Sequence, residues 1–95
     1  MPIFKLKLHK TYYRRGFFNI KVDFDRFVRN TDGPIELVLG KSGERIYGRI
    51  DHMSNRNHTP RIFGNAKLRD WFQSNHKEGD IIDVDLNSKD YIRIG

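Results

Sequence analysis

Between Asp51 and Phe63 the chain reads Asp-His-Met-Ser-Asn-Arg-Asn-His-Thr-Pro-Arg-Ile-Phe, which gathers two arginines, two asparagines and two histidines just after a strand-like run. These side chains can read bases. The guanidinium fork of arginine matches the two acceptors of guanine, and the asparagine amide matches the acceptor and donor of adenine, both in the major groove. The same residues also make ordinary polar turns between strands, so the loop acquires a function only from its surroundings.

The charge distribution supplies the first of these. The 95-residue chain carries a formal net charge of +6. Residues 1 to 22 hold Lys5, Lys7, Lys10, Arg14, Arg15 and Lys21 and no acid, for +6, and residues 52 to 69 hold Arg56, Arg61, Lys67 and Arg69 and no acid, for +4. The intervening 23 to 51 sums to −1 and the closing 70 to 95 to −3. An evenly solvated surface mixes its signs, whereas two acid-free blocks favour a polyanionic partner whose phosphates release counterions on binding.

Hydrophobic periodicity places these blocks on elements. Phe4, Leu6 and Leu8 alternate with Lys5 and Lys7, as in a strand with one buried and one basic face. Lys10 to Gly16 breaks the pattern and reads as a basic loop. Phe18, Ile20 and Val22 resume the alternation as a second strand. A short helix with Phe24, Phe27 and Val28 on one side follows, with Asp23 as its expected cap, and Asn30 to Pro34 turns the chain. Ile35 to Leu39 and Arg45 to Ile50 form a hairpin about Gly40 to Gly43, with Ile46 and Ile50 on a shared face. Beyond the polar loop, Leu68, Trp71 and Phe72 have helical spacing over Ala66 to Asn75, behind a possible Asn65 cap. Strands at Ile81 to Leu86 and Tyr91 to Ile94 close the chain. Six or seven short strands and two short helices, with too little helix for repeated parallel crossovers, predict a mainly β, mainly antiparallel barrel.

Length and composition bound the rest. Ninety-five residues suit a single domain spanning 1 to 95, and 13% aromatic content compensates for only 37% hydrophobic residues. The absence of cysteine excludes disulfides, thiolate zinc sites and cysteine nucleophiles. No run is apolar enough for a membrane span and no signal-peptide core opens the chain, so a cytoplasmic location is expected.

The order strand, basic loop, Phe17 to Phe24, hairpin ending Glu44-Arg-Ile-Tyr-Gly-Arg-Ile50, polar loop, Leu68-Arg-Asp-Trp-Phe72, Glu78-Gly-Asp80 and apolar strand resembles the B-three DNA-binding pseudobarrel. That family includes plant transcription-factor domains and the effector domains of restriction endonucleases such as the EcoRII type. The resemblance spans about residues 4 to 94, anchored by Trp71-Phe72 and Gly79-Asp80. Plant members usually carry Gly-Trp where this chain has Asp70-Trp71, so it is more similar to the restriction effector branch. The resemblance implies a seven-stranded open pseudobarrel, with two loops at one end acting as arms that clasp the DNA major groove. Carried over by position, the first arm is His9 to Gly16, with Lys10, Tyr12, Tyr13, Arg14 and Arg15. The second is Asp51 to Arg61, with His52, Ser54, Asn55, Arg56, Asn57, His58, Thr59 and Arg61.

Side-chain chemistry suggests a division of labour. Arg14, Arg15, Arg56 and Arg61 have the geometry for guanine edges, Asn55 or Asn57 for adenine, and His58 joins this base-reading set. Lys5, Lys7, Lys10, Lys21, Lys67 and Arg69, with Tyr12, Tyr13, Ser54 and Thr59, suit the DNA backbone. One of the tyrosines could equally belong to the core. No catalytic constellation is expected: Glu36 to Lys41 lacks the acid-x-lysine spacing of a magnesium nuclease, and neither His58 nor His52 has partners at metal-binding intervals. No cofactor and no metal are expected.

Sequence-specific binding of double-stranded DNA, as the recognition part of a restriction endonuclease or as a small independent regulator, is thus the leading expectation. A barrel for single strands or RNA would instead expose Tyr12, Tyr13, Tyr47 and Phe63 for stacking. A third possibility is a module whose basic surface meets an acidic protein.

Overall fold

The computed structural model describes residues 2–54 and 59–95. Seven strands form one mixed sheet that curls into a half-barrel: β1 (Ile3–Lys7), β2 (Phe17–Asn19), β3 (Gly33–Leu39), β4 (Glu44–Asp51), β5 (Arg61–Phe63), β6 (Ile81–Asp85) and β7 (Tyr91–Ile94). Their spatial order is β1-β6-β7-β3-β4-β5-β2, and every pairing is antiparallel except β3 with β7. Among the described residues β1 and β2 are therefore the two edges of the sheet. Helix α2 (Asn65–Asn75) carries it from β5 to β6.

The alternation in the sequence sets which face is inside. Phe4 and Leu6 of β1, Phe18 of β2, Leu37 and Leu39 of β3, Ile46 and Ile50 of β4, Ile62 of β5, Ile82 and Val84 of β6, and Ile92 and Ile94 of β7 all point into one core, which Leu68 and Phe72 of α2 close. Burying such a side chain contributes about 1.5–3 kcal/mol relative to exposure. The intervening residues, Lys5 and Lys7 among them, stay outside.

Four local expectations are corrected. The first arm is not an irregular loop: Lys10–Arg15 forms a six-residue helix, α1, whose Tyr12 and Tyr13 pack against the core. Gly16 ends it in the left-handed conformation, its N–H bonded to the Tyr12 carbonyl. Secondly, the strand expected through Val22 stops at Asn19. Pro60 lies just beyond the last β2–β5 pair and lacks an N–H, so it accepts from Ile20 but cannot return a bond. Val22 instead opens a 3-10 helix (Val22–Phe27) and is 66% exposed. Thirdly, neither expected cap is used. The residue before the 3-10 helix is Lys21 and that before α2 is Gly64, and neither cap position makes a side-chain hydrogen bond. The N–H groups of Gly64 and Asn65 at the start of α2 both bond the Gly16 carbonyl, so the end of the first arm does the work of a capping side chain. Finally, Arg61–Phe63, inside the supposed polar loop, is strand β5.

Gly16 is thus held by conformation and by space. Its φ is +73°, and a Cβ there would lie 2.1 Å from the Asn65 carbonyl oxygen and 2.7 Å from the Arg69 nitrogen. Gly43 has a similar φ of +69° but open space around the same direction. Gly43→Ala should therefore destabilise the fold by about 1–2 kcal/mol, the cost of the left-handed backbone alone. Gly16→Ala should destabilise it by about 3 kcal/mol or more, because backbone must also move. Denaturant unfolding of the two variants checks this, and equal losses would show that the contact between α1 and α2 yields easily.

Candidate nucleic-acid interface

The half-barrel is open between its edge strands, and that opening is a groove. It has a volume of about 820 Å³ and lies against Lys5 and Lys7 of β1, His9 and Tyr12 at the start of the first arm, Asn19 and Lys21 at the end of β2, and Thr59 at the end of the second arm. Its apolar lining includes Val22 and Ile81, the latter 64% exposed. Among the described lining residues the only carboxylate is Asp23.

β2 pairs with β5, Phe17 opposite Phe63, Phe18 opposite Ile62 and Asn19 opposite Arg61, which sets Thr59 of the second acid-free block beside the first block's residues at this groove. The first arm enters the ladder at Phe17 and the second at Arg61. At about 3.4 Å per residue the two points lie roughly 7 Å apart along the ladder. The arms therefore flank a short ladder from opposite ends, whereas the family resemblance implies loops at one end.

Within the groove the cations differ in their engagement. Lys5 pairs with Asp83 across β1 and β6 at 2.6 Å, both largely exposed, so the pair adds at most about 1 kcal/mol and can exchange for another anion. Lys21 sits over the Phe4 ring at 5.8 Å. Neither Lys7 nor Lys21 has an ion-pair partner among the described residues. Thr59 is buried, at 7% exposure.

Arg61 is held in a fixed posture. Its Nε donates to Asn19 Oδ1 at 2.8 Å, and its guanidinium carbon stands 4.6 Å from the Phe17 ring centre. Phe17 also meets Tyr12 edge-on at 5.4 Å and Phe63 at 5.8 Å, so one ring touches the first arm and the strand leaving the second. Asn19 and Phe17 were not among the residues expected from sequence. Only the strand register reveals them.

Other expected residues lie elsewhere. Arg14 approaches Glu78 at 3.8 Å, on the side of the turn before β6, and neither it nor Lys10 or Arg15 lines the groove. Tyr13 donates its hydroxyl to the His76 carbonyl at 3.0 Å, tying α1 to the end of α2. Lys67 lines a separate depression with Glu44 and Arg45, and Arg69 pairs with Asp70. Asn55, Arg56, Asn57 and His58 lie outside the described residues.

The second arm departs from a fixed base. Asp51 Oδ1 accepts the N–H groups of Met53 at 2.7 Å and Ser54 at 3.1 Å, and these bonds hold its carboxyl below the usual range. Beside it, Asp32 accepts from the His52 ring at 2.5 Å and from the His52 N–H at 2.9 Å, and its carboxyl is likewise lowered by these two bonds. Among the described residues no three His, Asp or Glu side chains gather to hold a metal, and no helix is long and apolar enough to cross a membrane. The aromatics needed for strand stacking are dispersed. Tyr12 and Tyr13 pack against the core and Phe63 is half-buried, while Tyr47 is 77% exposed on β4.

Neither a family model nor a curated protein matches the chain. A solved structure does: the N-terminal domain of Helicobacter pylori LlaJI.R1 is similar with a TM-score of 0.68 and 15% sequence identity, over 99% of this chain and 79% of that one. At that identity the likeness is one of fold.

Proposed function

We propose that the chain is a B-three-type recognition domain that binds double-stranded DNA in a sequence-specific way, with His9 to Gly16 and Asp51 to Arg61 as arms against the major groove. The observation that carries this reading is a groove edged by Lys5, Lys7 and Lys21 of the first acid-free block, which Thr59 at the end of the second arm also lines. The fold adds support, because LlaJI.R1 is a restriction-related protein. The natural setting in this reading is a restriction endonuclease, fused or associated, whose nuclease centre lies outside residues 1 to 95. The chain itself acts without cofactor and without catalysis.

Duplex DNA suits the groove chemically. Lysines on strand faces are point charges that follow phosphates, while arginine and asparagine on the second arm supply the donors and acceptors that distinguish base pairs. Arg56, Asn55, Asn57 and His58 belong to this base-reading set by their place in the sequence, and Arg61 also by its position on β5. Lys10, Arg14 and Arg15 on α1 would meet the duplex beside the groove.

Selection from a random duplex library at fixed salt should yield one preferred sequence, and equal affinity for unrelated duplexes would remove the specificity from this reading. With that sequence in hand, Lys7→Ala should weaken all duplexes alike and reduce the salt slope by about 1. Arg56→Ala should instead cost about 1–3 kcal/mol and relax preference at one base pair. Titrations at several salt concentrations separate the two effects, and the reverse assignment would overturn the roles given to strand and arm.

A further inference from the structure

We propose that Asn19 and Phe17 are positioning residues that preset Arg61 for a two-pronged contact with a guanine edge. This inference rests on the DNA reading above and adds residues to it. Asn19 opposes Arg61 in the β2–β5 register, and its side-chain oxygen accepts from Nε at 2.8 Å. Phe17, two residues earlier on the same face of β2, lies under the guanidinium at 4.6 Å. The Nε edge and one flat face of the guanidinium are thereby occupied. The two Nη groups remain, and they form the fork that matches the N7 and O6 acceptors of guanine.

A long arginine side chain normally loses much rotamer freedom when it engages a ligand. Here a hydrogen bond and an aromatic face have restricted it beforehand, so less is lost on binding. Phe17 has a second contact that matters. Its ring also meets Tyr12 of α1, so the posture of Arg61 depends on the seating of the first arm. A purely structural role would treat Asn19–Arg61 as a cross-strand pair that stabilises β2 and β5, with no dependence of DNA selectivity on Asn19 beyond folding.

A double-mutant cycle separates these. Affinities of the full chain for its selected duplex, and for the same duplex with single base pairs changed, are measured for the wild type, Asn19→Ala, Arg61→Ala and the double variant, alongside thermal unfolding. Arg61→Ala should weaken the selected duplex by about 10-fold or more and level the preference at one base pair. Asn19→Ala should weaken it by about 5-fold at that same base pair, and should add nothing once Arg61 is alanine. Phe17→Leu should behave as Asn19→Ala does, and Asn19→Asp, which keeps the acceptor, should retain the preference at that base pair. Unchanged affinity and preference in Asn19→Ala, or a loss that adds in full to that of Arg61→Ala, would overturn the positioning role while leaving the DNA reading intact. A wild-type chain indifferent to duplex sequence would instead sink the DNA reading and this inference with it.

Discussion

The three residue pairs of the β2–β5 ladder join parts of the chain that carry most of its positive charge. One partner strand follows the first acid-free block's helix, and the other follows the polar loop of the second block. Pro60 stops the ladder at one side because it has no N–H to give, and Gly16 stops it at the other by turning its carbonyl to the start of α2. A short ladder would be weak alone. It is held because Phe18 and Ile62, its central pair, are both fully buried, and because α1 and α2 pack beside it. The arrangement of the arms, the groove and the posture of Arg61 all follow from that pairing.

The open seam poses a problem that the lysines address. Unpaired strand edges invite association with other chains, and charged residues on them, lysine above all, discourage it. Lys5 and Lys7 on β1 and Lys21 just past β2 lie along the seam. The charges that keep the edges apart from other strands are also those suited to a phosphate backbone. Val22 and Ile81 are exposed beside them.

Much of the scaffold was legible because strands with one buried face alternate visibly. Phe4 and Leu6, Ile46 and Ile50, and Ile82 and Val84 all fall inside as their spacing predicts. Charge counting marked the block whose Lys5, Lys7 and Lys21 edge the groove, since exposed residues keep their charges whatever the pairing. Less could be read where an element is short. Arg61–Phe63 places one apolar residue inward and offers no period, and the helix at Lys10–Arg15 is fixed by Tyr12 and Tyr13 resting on a core that sequence alone does not assemble. Val22 followed the strand pattern yet left it, because the proline that ends the ladder lies 38 positions on. Asn19 was invisible for a related reason: only register sets it opposite Arg61, and register is a property of two strands.

Titrating the isotopically labelled chain with its selected duplex, and following the amide and side-chain resonances, tests the central claim most directly. Shifts concentrated at Lys7, Tyr12, Asn19, Lys21, Thr59 and Arg61, with the Arg61 Nε–H among the largest, would match a duplex seated on the seam between β1 and β2. Shifts centred on Tyr47 and Tyr91 of the outer sheet face, with the seam unmoved, would contradict it.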